Sequence, residues 1–272
     1  MNTRMINFEI EAFEDGCALL GFESDVPQTH LSIPPEILDL PVRLIKPFAF
    51  LNETSLISVS IPFTVHTIGR FAFHDCLSLQ ALKIGNGVRE IESHAFYNCQ
   101  QLTAITLPPN LRSLQQGAFY GCSALTSVTL PASLVEMKGG VFGDCAQLTA
   151  LQVMDGNEHF QSQNGLLYSK DGKNLISVPV GRRGALTIPE GVTAIAKSAF
   201  SGCNQLTTIK LPHTLKTIDK GAFIGCHSLK YVQMPANVMI APSAFVGITG
   251  AVIDEEGQPI KVCRTLEECF SS

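Results

Sequence analysis

The chain has 272 residues, 45% hydrophobic and 16% charged, a composition that excludes intrinsic disorder. Its formal net charge is −5, from 24 acidic against 19 basic residues, and its longest basic feature is Arg182-Arg183, so the basic face of a nucleic-acid binder is not expected. No apolar run approaches the roughly 18 residues that cross a bilayer, so no membrane span is expected either.

In chain order, the start "MNTRMINFEI" lacks the apolar h-region of a secretory signal, so no export address is expected there. "INFEIEAF", then Glu14-Asp15-Gly16, then "CALLGFES" reads as a β-hairpin. Residues 1–30 are therefore an expected N-terminal cap, and "LSIPPEILDLPVRLIKPFAF" is a first, degenerate copy of a repeating unit.

From Phe50 the chain keeps a ruler. Phe73, Phe96, Phe119 and Phe142 follow at steps of 23 residues, Phe200 and Phe223 repeat the step, and Phe245 comes after 22. Cys76, Cys99, Cys122 and Cys145 keep the same step, as do Cys203 and Cys226. A fixed period of roughly 20 to 29 residues rich in Leu and Ile marks a leucine-rich-repeat solenoid. The unit reads C-x-x-L-x-x-[IVL]-x-[IVLM]-P-x-x-[LV]-x-x-[IL]-x-x-x-A-F-x-x-C. Leu102, Ile105 and Leu107 fill its first apolar slots, as do Leu125, Val128 and Leu130, and later Leu206, Ile209 and Leu211. The alternation at the end of each run predicts a short strand with two side chains inward. The Pro that usually comes next, as at Pro62, Pro108, Pro131, Pro189, Pro212 and Pro235, donates no N–H and closes the strand. A second short extended piece is expected at I-x-x-x-A-F.

One such unit cannot bury its own apolar face, but stacked neighbours bury it for each other. The predicted fold is a solenoid of short parallel β-strands stacked in a right-handed curved coil, with few helices. About ten rungs at roughly 4.8 Å would make a sheet of about 45 Å. Phe and Cys at the ruler positions become its structural spine. Residues 146–199 exceed twice the step and hold Asp171-Gly172 between alternating apolar runs, which predicts an inserted β-hairpin at about 154–184. "TGAVIDEEGQPIKV" predicts a last strand and turn, and Thr265 with Glu268 a capping box opening a short helix. The expected division is a 1–30 cap, a 31–250 solenoid and a 251–272 C-terminal cap.

The A-F-x-x-C-x-x-L-x-x-[IV]-x-[IL]-P unit at 23-residue spacing resembles the BspA-type, or Treponema pallidum-type, leucine-rich repeats across roughly residues 31–250. "LLYSKDGKNLISVP" followed by "TIPEGVTAIAKSAF" looks like an insertion common in that family. The resemblance implies a bacterial secreted or cell-surface protein that binds host proteins or other cells. It brings no catalytic residues. The missing signal makes a cytoplasmic interaction scaffold the alternative.

"REIESHAFYNC" invites a reactive centre, with His94 five residues before Cys99. Six cysteines at one repeat position are instead expected to act as small buried hydrophobes. The slot of His94 holds Phe71, Gly117, Gly140, Ser198, Gly221 and Ser243 in other units, which reads as variable exterior. No C-x-x-C, H-E-x-x-H, G-x-S-x-G or phosphate-loop spacing occurs, so no catalytic, cofactor or metal residue is assigned. "DGNEHF" opens like a calcium loop but lacks the later ligands, so a turn is expected. Cys263 and Cys269, taken as lying on one helix six residues apart, are expected to face apart.

A partner is expected on the strand face. Residues between the inward slots form an outward column of Ser60, Lys83, Thr106, Thr129, Gln152, Thr187, Lys210 and Gln233. A flanking column runs through Ser58, Ala81, Ala104, Ser127, Ala150, Ala185, Thr208 and Tyr231. Binding energy concentrates on Tyr, Trp and Arg, and the chain has no Trp. The candidate residues for a protein or glycan ligand are therefore Lys83, Thr106, Thr129, Gln152, Lys210, Tyr231 and Gln233. Tyr168, His159 and Phe160 of the insertion are a second candidate surface.

Overall fold

The computed structural model describes residues 6–270; residues 1–5 and 271–272, the extreme ends of the two expected caps, lie outside the described residues. Almost every element is a short strand, and one five-residue helix, Leu266–Phe270, closes the order. The chain divides into two compact units. One runs to Gln147 and adds Met154–Asn157; the other holds Leu148–Val153 and the chain from Glu158 on.

In the first unit Asn7–Phe13 and Gly16–Glu23 pair as an antiparallel hairpin. The second strand of that hairpin lies parallel to Leu40–Ile45. Two-residue strands then continue in parallel, one per coil: Thr67–Ile68, Glu90–Ile91, Ser113–Leu114 and Glu136–Met137. A second parallel ladder joins His30–Ser32, Ser58–Ser60 and Ala81–Lys83. Each of these three strands buries only its middle residue, Leu31, Val59 or Leu82, as a two-residue period requires. The expected strand at 102–107 does not form. That stretch joins no ladder, and Ile105 is only half buried. Nothing in the neighbouring packing explains the interruption.

A third side of each coil comes from A-F-x-x-C. It is a turn rather than a strand, yet its backbone bonds are as regular as a ladder. The amides of Phe71, Phe73 and Asp75 donate to the carbonyls of Ser93, Ala95 and Tyr97 at 3.2, 2.7 and 2.9 Å. One coil on, His94, Phe96 and Asn98 donate to Gln116, Ala118 and Tyr120 at 3.0, 2.8 and 2.6 Å. Alternate amides can all point toward the same neighbour because residues flanking the Ala-Phe pair are left-handed. Phe71, Asp75, His94 and Asn98 have φ of 57°, 58°, 58° and 60°.

The spine residues sit between these three sides. In the first unit Phe50, Phe73, Phe96, Phe119 and Phe142 stack with centroids 4.7, 5.1, 5.2 and 5.9 Å apart. Neighbouring rings lie nearly parallel, at 3° for Phe73 on Phe96. In the second unit Phe200, Phe223 and Phe245 stack at 4.6 Å each. Ala72, Ala95, Ala118, Ala199, Ala222 and Ala244, the small residues before six of these Phe, are buried where the coil is narrow.

The second unit opens with three antiparallel strands, Phe160–Gln163, Leu166–Ser169 and Asn174–Ser177. Two turns build them, at Asn164-Gly165 and at Asp171-Gly172. Asn164 and Gly165 both have positive φ, 53° and 75°, as a type I′ turn demands. The third strand then pairs in parallel with Ala194–Ile195, followed by Thr217–Ile218 and Met239–Ile240. The insertion thus feeds directly into a coil sheet. A second ladder joins Gly184–Thr187, Leu206–Lys210, Tyr231–Gln233 and Ala251–Ile253. Ile260 and Val262 pack against the core of this unit from beyond its last strand.

Truncating one spine ring leaves a cavity between two others. Phe96→Ala is expected to lower the unfolding free energy by about 3–5 kcal/mol in urea titration. Thr106→Ala, on an exposed side chain, is expected to stay within about 0.5 kcal/mol.

Candidate functional site

Cys99 and His94 occupy different sides of the coil wall. Cys99 is fully buried, and its Sγ–H donates to the carbonyl of Phe73 at 3.3 Å. The same bond recurs from Cys76 to Phe50, Cys122 to Phe96, Cys145 to Phe119 and Cys226 to Phe200, at 3.0 to 3.4 Å. Each thiol gives the Phe carbonyl of the preceding coil a partner that no strand supplies. Burial pushes the thiols of Cys76 and Cys226 up to about 12, and holds Cys122, Cys145 and Cys203 well above the ordinary range. A nucleophilic cysteine needs its thiolate, so these side chains are structural.

His94 is outside, but its slot is not the indifferent exterior expected from the sequence. It is a left-handed position, which costs a residue with a Cβ about 1–2 kcal/mol. Gly117, Gly140 and Gly221 meet that demand directly, while Phe48, Phe71, His94 and Ser198 accept it with φ between 57° and 67°. Rings there stack across coils: Phe48 on Phe71 at 5.3 Å and Phe71 on His94 at 5.1 Å. A parallel row runs His74, Tyr97, Tyr120 at 4.6 and 5.0 Å. The two rows touch where His94 meets Tyr97 at 5.6 Å. The His94 ring also covers the bare face of Gly117, where an added Cβ would stand 2.8 Å from it. Burial lowers the pKa of His94, and the charges of Arg70 and His74 lower it further. Sequence reasoning missed this outer double row. Its signal was a ring at the same slot in three successive coils, Phe48, Phe71 and His94, which looks like variation until the coils are stacked.

The candidate binding residues fall into local groups. In the first unit Lys83 lies in register with Ser60, and Ala81 with Ser58. His30 Nδ1 is 2.7 Å from Ser58 Oγ. These strands form the floor of a shallow cleft of about 370 Å³. Thr106 and Thr129 are exposed. Thr106 is on no strand, and Thr129 lies on Ser127–Leu130, outside that ladder. In the second unit Gln152 is exposed on Ala150–Val153, apart from the ladder that carries the rest. There the register places Thr187, Lys210 and Gln233 in one row and Thr208, Tyr231 and Ala251 in the next. Tyr231 is 53% exposed, with its backbone fixed by a ladder on both sides.

Two expectations are corrected. Tyr168 and Phe160 are not surface residues: they are 2% and 7% exposed, and Tyr168 joins Leu166 and Leu175 in the core of the second unit. Burial raises the Tyr168 phenol to about 12. His159 is exposed. Cys263 and Cys269 do not lie on one helix: the helix begins only at Leu266, so Cys263 precedes it, while Cys269 Sγ–H donates to the carbonyl of Pro242 at 2.9 Å. The Asp155-Gly156 stretch is a turn, and Asn157 after it is buried, donating to the carbonyls of Pro131 and Leu134 at 2.9 and 3.0 Å. Among the described residues no three His, Cys, Asp or Glu side chains come together as metal ligands.

Residues 43–164 and 184–251 match the BspA type leucine rich repeat region in six copies, and the chain belongs to that family. The leucine rich repeat protein of T. pallidum is 28% identical, with 82% of this chain covering 87% of that one at a TM-score of 0.56. A leucine-rich repeat protein from Eubacterium ventriosum is 22% identical, with 88% and 68% covered and a TM-score of 0.68. A leucine rich cell surface protein from Faecalibacterium prausnitzii is 23% identical, with 90% and 87% covered and a TM-score of 0.58. The last two likenesses show the fold. No curated protein matches the sequence.

The buried thiols set a pH dependence. In the unfolded chain they ionise near the ordinary value of 9.0, whereas Cys76 and Cys226 stay protonated to about 12 in the fold. The unfolded chain therefore releases protons first, and stability is expected to be complete below about pH 9 and to fall as pH rises above it. Denaturant midpoints at pH 8 and pH 10.5 check this, and Cys122→Ala should reduce the drop.

Proposed function

We propose that this family member is a non-enzymatic binding protein whose strand face takes a protein or glycan ligand, in an adhesion or host-interaction setting. The observation that carries the reading is the register of the second unit's ladder, which sets Lys210 beside Gln233 and Thr208 beside Tyr231. An exposed tyrosine with a cation and an amide around it, on a rigid backbone, is the composition in which binding hot spots are found. Lys83, Thr106, Thr129 and Gln152 belong in this reading to the surrounding contact surface, and the Phe and Cys spine to the scaffold that holds it. Residues 1–30 and 251–272 act as end caps of the 31–250 stack.

The reading places the protein outside the cell or on its surface. Its support is the family, together with the Faecalibacterium prausnitzii relative, itself described as a cell surface protein. A second reading, a cytoplasmic interaction scaffold, is favoured by nine cysteines that are all free thiols. Fractionation of the native cell separates the two.

Binding is tested on immobilised extracellular-matrix proteins and a glycan array. For the ligand that binds, the double variant Lys210→Ala with Tyr231→Ala is expected to weaken affinity about 30-fold, corresponding to a hot spot of about 2 kcal/mol. Met239→Ala, exposed on the other sheet of the same unit, is expected to leave affinity unchanged. Equal binding by the double variant would overturn the assignment of the face.

A further inference from the structure

In the first unit, one outward position is cationic or a histidine in four successive coils. Arg43, His66, Arg89 and Arg112 each follow a buried apolar residue, Val42, Val65, Val88 or Leu111. No run of basic residues announces this row, because its members stand 23 residues apart. Backbone bonds hold them in line. The amide of His66 donates to the carbonyl of Arg43, that of Arg89 to His66 and that of Arg112 to Arg89, each at 2.8 Å. Coils stacked at roughly 4.8 Å set the four positions along about 14 Å. Arg89 and Arg112 are exposed, and Arg43 and His66 are half-buried. Arg43 Nε donates to the carbonyl of Asp15 at 3.2 Å, which anchors that end of the row to the hairpin turn. Burial lowers the pKa of His66, and the charges of Arg43 and Arg89 lower it further, as charges sharing one face do.

Like charges side by side in a sheet are destabilising unless a carboxylate stands between them. Here the nearby carboxylates are turned to other partners. Glu90 accepts from Gln115 Nε2 at 3.3 Å, and Glu92 accepts from the amide of Arg70 at 2.8 Å. Glu136 pairs with Lys138 and accepts from Ser113 Oγ at 3.4 Å. Among the described residues no carboxylate forms an ion pair with Arg43, Arg89 or Arg112.

We propose that this row is a binding site for a linear sulfated polysaccharide. Sulfate esters stay ionised, and a guanidinium fork grips such an oxyanion with two parallel N–H bonds. A polymer carrying sulfates along its length meets the row at several points at once. The net charge of −5 gives a polyanion no attraction to the protein as a whole, so binding is confined to the row. The adjoining outward column is Leu44, Thr67, Glu90, Ser113 and Glu136, in register and without an aromatic ring. Single-stranded nucleic acid is held largely by stacking its bases on rings, so the row suits a glycan better. The site lies in the first unit and stands whether or not Lys210 and Tyr231 of the second bind a ligand.

The test passes the full chain over immobilised heparin at about 0.15 M salt. The protein is expected to be retained and to be released as salt rises, and fully desulfated heparin is expected not to hold it. Arg89→Ala with Arg112→Ala should bind heparin about tenfold more weakly, with an unchanged circular dichroism spectrum. Lys197→Ala with Lys220→Ala removes the same number of exposed charges from the second unit and should bind as the unaltered chain does. Passage of the unaltered chain without retention, equal weakening by both double variants, or full binding by the arginine variant would overturn the proposal. So would equal binding to desulfated heparin, or tighter binding to a single-stranded oligonucleotide.

Discussion

Everything in this molecule depends on each coil lying in register on the next. Once Phe96 sits on Phe73 and under Phe119, the positions of the other side chains are set. The carbonyls of Phe50, Phe73, Phe96, Phe119 and Phe200 are left facing the following coil, and a cysteine thiol arrives at each as its donor. The residue before each spine Phe is Ala in every coil except that of Phe142, where Val141 stands. The residues flanking the Ala-Phe pair must turn left-handed, so that alternate amides all point toward the same neighbour. A repeat of 23 residues is the sequence consequence of that stacking rule, not its cause.

This constraint explains which residues were readable. The Phe and Cys columns are legible because a shared environment demands the same side chain at each step. The left-handed slots are harder to read, because several solutions satisfy them. At the position two after each spine Phe the chain uses Asn52, Asp75, Asn98, Gly121, Asp144, Gly202, Gly225 and Gly247, all residues that tolerate positive φ. At the position two before, rings at Phe71 and His94 offset the strain by stacking on their neighbours, and the column looks random when read one coil at a time. The insertion shows the opposite limit. Asp171-Gly172 announces its turn, and Asn164-Gly165 does so equally, but Tyr168 is buried by joining Leu166 and Leu175 in the second unit's core. No local pattern carries that.

The candidate binding surface is legible only in outline. Alternation decides which residues of a strand point outward, so Lys210, Tyr231 and Gln233 could be named from the sequence. Alternation alone does not decide whether a strand forms, and Thr106 lies on a stretch that does not pair. The hexapeptide "HAFYNC" accordingly contributes structure at every position: Ala95, Phe96 and Cys99 inside, His94 and Tyr97 in the outer ring rows, and Asn98 in a left-handed turn.

The most direct test of the stacking rule is removal of one complete coil. Excising residues 100–122 joins Cys99 to Ser123 and restores the register of every column. The account predicts a folded protein, with an unchanged circular dichroism spectrum per residue and a cooperative urea transition. Excising residues 100–110, about half a coil, should leave the chain unfolded. A whole-coil deletion that fails to fold, or a half-coil deletion that folds as well, would contradict the account.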